Sequence, residues 1–308
     1  PVAPEVLNLV FGDISLGGTF ATTNVPYAGY QIVYSANAVD LAPAGGVPIV
    51  VNSPADPGDG TCDVTECTLR EAITDANLAP DPDVITFAIP SPQCTGPGGS
   101  CVIVPATPLP AISGPLLIDG YSQPGAVPNS HPLSLGLGNN ATVLIELDGA
   151  AAGGDGLVIN APSPSLVGIH GLSLYRWNNA IHVLGPLDSN QLIGGNLIGL
   201  RSDGSAPVPA QGVGVAVFGG HAQIGSGLPA DMNVIGGNAT GVQLGSISAG
   251  SGVLVTGNLI GAAPNGVGAR PNQVGILAQT ASALPGIVIG SVQPDERNLI
   301  SGNADDGI

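Results

Sequence analysis

The feature that most constrains this chain is a repeat in its second half. LIGGNLIG (192–199) returns as LVTGNLIG (254–261), 62 residues later. NVIGGNATGV (233–242) returns as NLISGNADDGI (298–308), 65 residues later at Asn233 and Asn298. QGVGVAV (211–217) answers QVGILA (273–278), and QIGS (223–226) answers VIGS (288–291). The long period reads as about three shorter units of roughly 21 residues. Short Ile, Val and Leu triplets between Gly and Asn corners are what one coil of a parallel β-solenoid needs. Inward aliphatic residues stack on their equivalents above and below, and Gly or Asn takes the tight corners most cheaply. Asn at a fixed place in successive coils can also form a side-chain amide ladder. The fold expected is therefore all-β, a parallel β-helix. At about 21 residues per coil and about 4.8 Å per coil, residues 114–308 give about nine coils and a rod of about 45 Å. The L-x-x-L-x-L-x-x-N signature of leucine-rich repeats and the Asp-rich nonapeptide calcium repeat are both absent.

Composition removes other classes. The chain has 308 residues, 48 Gly and 29 Pro, which disfavours a helical bundle. Five basic residues, all Arg, stand against 22 acids, for a net charge of −17. Nucleic-acid binding and a polybasic membrane contact both need clustered positive charge, which is missing. No apolar run is long enough to insert in a bilayer as a helix. The 44% hydrophobic content argues for an ordered chain.

Three stretches follow. Residues 1–48 read as an N-terminal β segment, with strands expected over 5–16 and 30–41 and too few residues for a core of their own. Residues 49–113 hold one helix. Thr68 and Glu71 form a capping box, Leu69, Ala72, Ile73 and Ala76 make its apolar stripe, and Pro80 and Pro82 stop it. A strand is expected over 84–89. Residues 114–308 carry the repeats. The first residue is Pro and the last falls in mid-pattern, so the chain reads as a processed piece of a longer precursor.

Four cysteines, Cys62, Cys67, Cys94 and Cys101, allow three pairings. Two local loops, Cys62–Cys67 and Cys94–Cys101, are favoured because each closes a short turn-rich segment. Disulfides place the chain in an oxidising compartment, secreted, extracellular or at a cell surface. The rival zinc reading lacks a C-x2-C knuckle and a nearby His.

The run DPGDGTCDVTECTLREAITDAN (56–77) resembles the segment for which the CSLREA-domain proteins are named, with Thr68 in place of the Ser. ITFAIP (85–90), LPAISGPLLIDGYSQPGA (109–126) and the GNLIG and NLISGN repeats resemble the same family. The likeness covers about residues 49–308. It implies a secreted or surface-anchored protein with a right-handed parallel β-helix, entered through a short N-terminal capping helix. It implies no particular chemistry.

Candidate sites are few. Asp56, Asp59 and Asp63 crowd a Gly-containing loop beside the first cysteine pair, and hard oxygen ligands on a tight turn suit Ca²⁺. Tyr175, Arg176 and Trp177 could bind a glycan, a sugar stacking on the Trp. The plainer reading is that the three pack a lateral face. Asp305 and Asp306 are the nearest thing to paired carboxylates, and read as a solvated turn. His170 and His182 fall in neighbouring coils on this reading, without metal spacing. Asn140 and Asn238 head N-x-T glycosylation patterns.

The function expected is non-enzymatic, with no catalytic residue assigned. A β-helix leaves an unpaired coil at each end, and natural solenoids cap both. The helix can cap one end. Residues 1–48, docking on a neighbour, could cover the other. Such head-to-tail self-association builds open filaments. The chain thus reads as a β-helical building block of an extracellular filament, stalk or surface layer, whose partners are further copies or other surface proteins. A glycan-binding adhesin is the alternative, and a polysaccharide lyase or hydrolase comes third. No cofactor is called for beyond the candidate calcium.

Overall fold

A computed structural model of the chain describes residues 30–34, 39–43, 47–162, 165–186, 190–207, 211–245, 252–279 and 286–308. The chain divides into two units, Pro1–Gly45 and Gly46–Ile308.

In the first unit, Tyr30–Tyr34 and Val39–Pro43 pair antiparallel, with Tyr30 opposite Pro43 and Tyr34 opposite Val39. The stretch read as one β-rich segment over 30–41 is thus two strands. The strand expected over 5–16 lies outside the described residues.

The second unit is mostly parallel β-sheet with one α-helix among the described residues. Its eight-stranded sheet runs from Ile49–Val51 through Asp83–Phe87, Leu116–Asp119, Leu166–His170, Asn190–Gly194, His221–Ile224 and Val253–Val255 to Ile287–Ile289. The seven-stranded sheet runs from Cys101–Ile103 through Ile145–Asp148, Leu172–Tyr175, Leu197–Ile198, Val234–Ile235 and Leu259–Ile260 to Leu299–Ile300. The five-stranded sheet comprises Leu157–Ile159, Asn179–Val183, Gln211–Val217, Asn238–Gly245 and Val274–Gln279. From Ile145 onward the chain visits the seven-, five- and eight-stranded sheets in fixed rotation. Three parallel sheets visited in this way fit a solenoid.

Register explains the aliphatic triplets. Ile85, Ile118, Ile169, Ile193, Ile224 and Val255 stand side by side across the eight-stranded sheet, all buried. Ile103, Leu147, Leu174, Ile198, Ile235 and Ile260 do the same in the seven-stranded sheet. Each residue removes apolar area from water against its equivalents in the next strands, worth about 25 cal/mol per Å² buried.

The unit length differs from the 21 residues expected. Leu192 and Leu254 lie two strands apart in one sheet, both opposite Gln223, so the 62-residue repeat holds two turns, not three. Among the described residues, six strands of the longest sheet fall within 114–308, against the nine coils expected. The missing residues are spent on excursions. The longest, 121–143, crosses the outer face of the seven-stranded sheet. There Tyr121, Leu133 and Ala141 pack on Leu197, Met232, Val234 and Leu259. Asn139 Nδ2 donates to Met232 O at 3.1 Å, and Ser134 N to Asp295 Oδ1 at 3.0 Å.

The helix spans Leu69–Leu78 and has the full capping box: Thr68 Oγ1 accepts from Glu71 N, and Glu71 accepts from Thr68 N. Leu69, Ala72, Ile73 and Ala76 are buried in the core at the Ile49–Val51 end. The expected strand over 84–89 is Asp83–Phe87. Both local disulfides, Cys62–Cys67 and Cys94–Cys101, are formed.

Candidate functional site

The asparagine ladder is present, and it is double. Asn196 Nδ2 donates to Asn233 Oδ1 at 3.2 Å, Asn233 Nδ2 to Asn258 Oδ1 at 2.8 Å, and Asn258 Nδ2 to Asn298 Oδ1 at 3.0 Å. The second row runs from Asn238 to Asn272 at 2.6 Å and from Asn272 to Asn303 at 3.0 Å. Each amide also donates to a carbonyl of the preceding turn, such as Ile193 O from Asn233 and Ile235 O from Asn272. The corners beside the ladder admit only Gly. At Gly225 φ is +72°, and a β-carbon would lie 2.2 Å from Thr256 O and 2.4 Å from Asn258 Oδ1. The N-x-T pattern at Asn238 is therefore no open acceptor: its amide is buried in the ladder. Asn140, by contrast, stands at an exposed loop and donates to Ser130 Oγ.

The three aspartates beside the first disulfide have separate roles. Asp56 accepts Arg70 Nε at 2.7 Å, Arg70 Nη2 at 3.0 Å and Ala106 N at 2.8 Å. Asp59 Oδ1 accepts Thr61 N, and Asp63 Oδ1 accepts Thr65 N and Glu66 N. Those last two N–H groups hold the Asp63 carboxyl below its usual range. Among the described residues, no group of three or more His, Cys, Asp or Glu is arranged to hold a metal ion.

Tyr175, Arg176 and Trp177 come together with two acids the sequence did not single out. Glu146 is fully buried. It accepts Tyr175 Oη at 2.7 Å, Ser100 Oγ at 2.8 Å, Ser202 N at 3.1 Å and the Ser202 hydroxyl. Burial, then the hydrogen bond and charge of Glu146, push the Tyr175 phenol far above its usual range. Arg176, the one non-Gly residue with positive φ (63°) among those described, pairs with Asp148. The Arg201 guanidinium lies over the Tyr175 ring, 5.1 Å from its centroid. Trp177 is only 2% exposed, and its Nε1 donates to Leu147 O at 3.1 Å. A ring so enclosed presents no face for a sugar to stack on. The group ties the 97–100 and 201–205 loops to the seven-stranded sheet. A charged residue inside the aliphatic run LIELDG was the available signal for Glu146.

The histidines do not stack. His170 lies in the eight-stranded sheet and His182 in the five-stranded one, on different faces of one turn. His182 Nδ1 meets Asp155 Oδ2 at 2.7 Å, and its ring meets Phe218 edge-on. Among the described residues, no hydroxyl or thiol hydrogen-bonds this imidazole. Asp305 is exposed and accepts the Gln273 amide; Asp306 is exposed as well.

At the far end, Leu299–Ile300 and Ile287–Ile289 are outer strands of their sheets. A groove of about 310 Å³ opens there between the tip of the 121–143 excursion and the last turn. Leu133, Gly138, Leu259, Arg297, Asn298 and Leu299 are among its walls. No protein-family model matches the chain, and no curated protein matches it. Among the described residues, no helix is long and apolar enough to cross a membrane.

Proposed function

We propose that this chain is a non-enzymatic structural protein, a right-handed parallel β-helix that serves as the building block of an extracellular filament, stalk or surface layer. Right-handedness follows the near-universal rule for parallel crossover connections. The two disulfides support an oxidising, extracellular setting. The likeness of residues 56–77 to the CSLREA segment supports the same placement. The buried Glu146 is taken up by Tyr175, Ser100 and Ser202, which tie two loops to a sheet, as suits a scaffold.

The observation that carries the reading is the buried asparagine ladder, which ties each parallel turn to the next by side-chain amides. The helix Leu69–Leu78 seals the Ile49–Val51 end. A stack of parallel turns is a template for further strand pairing, and a head-to-tail contact repeats without closing.

Electron microscopy of the native material, with and without a chelator, tests this. Fibres or sheets with a repeat of one rod length are expected. Isolated short rods under both conditions would overturn the assembly reading, and loss of fibres on chelation would bring calcium back.

A further inference from the structure

We propose that the outer face of the eight-stranded sheet pairs with the same face of a second copy of this chain, the two stacks running in opposite directions with Leu192 on the two-fold axis. The contact uses the side of the stack, so it goes beyond the head-to-tail reading and is tested apart from it.

Strand alternation sends every second residue outward. Between two rows that face the core, this sheet carries the outward row Val84, Leu117, Gly168, Leu192, Gln223, Leu254 and Val288, each beside the next in register. Val84, Leu117, Leu192 and Leu254 are half-buried, Val288 is exposed, and none of the five belongs to either buried cluster. The row holds no charge, on a chain of net charge −17. Two copies repel each other least where neither presents a charge.

The order of the row selects the partner. Read across the sheet it is V-L-G-L-Q-L-V, and read from the other side V-L-Q-L-G-L-V. The two differ only by the exchange of Gly168 and Gln223. A second copy turned end over end about the strand of Leu192 therefore sets Val84 on Val288, Leu117 on Leu254, Leu192 on itself and Gln223 on Gly168. That is the self-complementarity a two-fold interface requires. The position without a side chain meets the longest one. Leu117 Cδ1 leans into part of that space, 2.6 Å from where a β-carbon on Gly168 would stand, and His170 Nε2 borders it at 3.8 Å. His170 Nδ1 faces Asp231 Oδ1 at 3.7 Å, which leaves Nε2 for the incoming Gln223 amide. An amide can donate or accept there as the imidazole tautomer requires. Copies running in the same direction would instead set Gln223 on Gln223 and leave Gly168 facing Gly168 across a gap, forfeiting contacts.

The size of the face sets the strength. Seven strands at about 4.8 Å make a stripe about 29 Å long, and the row with its flanks is about 14 Å wide. That removes about 400 Å² from each copy, half of the roughly 800 Å² per partner of a stable complex. The pair is therefore weak and reversible, and a second contact, such as end-to-end stacking, reinforces it by holding many such faces side by side.

Sedimentation velocity of the full chain over a concentration series tests the contact. Wild type is expected to pair reversibly, and more tightly as salt screens the repulsion between copies. Leu192→Glu sets like charges against each other on the axis and should weaken pairing at least about tenfold. Leu254→Glu should weaken it as well. Adding Leu117→Arg to Leu254→Glu should restore pairing, because the new cation of each copy then faces the new carboxylate of the other. That rescue also shows that the variants fold. Wild type that stays monomeric at every concentration, Leu192→Glu that pairs as well as wild type, or a double variant that fails to recover each overturns the contact. Electron microscopy separates it from the head-to-tail reading. Wild-type fibres one stack wide overturn the side contact and leave end-to-end assembly standing, whereas pairs that never lengthen support the side contact and overturn end-to-end assembly.

Discussion

Tyr175 donates its hydroxyl hydrogen to Glu146 Oε2 at 2.7 Å, and neither side chain reaches solvent. A buried carboxylate is costly to hold unless its lone pairs are filled. Here Ser100, Ser202 and Tyr175 fill them, and two of these come from loops rather than strands. The polar group thus fixes where two excursions land on the sheet.

Removing the phenol hydroxyl should expose that dependence. Tyr175→Phe leaves the ring packing in place and one Glu146 oxygen short of its donor. The expected loss is about 1–3 kcal/mol, read as a lower urea midpoint with an unchanged slope. Glu146→Ala should cost more, because it strands Ser100, Ser202 and Tyr175 together. Equal stability of Tyr175→Phe and wild type would show that Glu146 does not need the phenol.

The ladder makes a positional prediction. Asn258 is buried and donates to Asn298 Oδ1, Ile224 O and Thr256 O while accepting from Asn233. Asn258→Leu abandons all four partners at once and should cost at least about 3 kcal/mol. Asn303→Leu abandons two partners among the described residues, Ile260 O and the Asn272 amide, and should cost less than half as much. Denaturant melts of the two variants check the ratio. Equal costs would mean that the ladder is no cooperative column.

What could be read in advance follows from which forces are local. The capping box is set by four consecutive residues, and the disulfides by two short loops, so both were legible. The inward aliphatic rows and the asparagine rungs repeat, so they were legible too. Trp177 and Glu146 were not, because their burial depends on the 97–100 and 201–205 loops folding back from far along the chain. The same excursions lengthen each turn unequally, with Asn196, Asn233, Asn258 and Asn298 unevenly spaced, which defeats a constant 21-residue unit. Arg297 was legible only as a charge.

Acid should loosen the cap. Burial works to raise the Glu71 carboxyl, but Thr68 N–H at 2.8 Å, Gly60 N–H at 2.6 Å and the Thr68 hydroxyl outweigh it and hold it below its usual value. A folded pKa below the unfolded one gives stability that is whole above the unfolded value and lost as pH falls through the folded one. Asp63 and Asp203 are lowered and act in the same direction, while Asp83 is raised and opposes them. The melting temperature should therefore fall on acidification from about pH 5 to pH 3. Glu71→Gln should be less stable at neutral pH and show a flatter decline. An identical pH profile for wild type and Glu71→Gln would refute the assignment.

Gln191 is a buried polar side chain flanked by apolar neighbours in its row, and it should be replaceable. It stands between Val167 and Ala222 in the eight-stranded sheet, 1% exposed. Neither Oε1 nor Nε2 has a hydrogen-bond partner among the described residues. An amide in that position forgoes its water without compensation, whereas a leucine of similar size has nothing to forgo. Gln191→Leu should therefore stabilise the fold by about 1–3 kcal/mol, seen as a higher urea midpoint at constant slope. Gln191→Ala should not share the gain, because it leaves a cavity beside Ala222. A loss of stability in Gln191→Leu would instead mean that the amide is satisfied by a buried water, which the leucine expels.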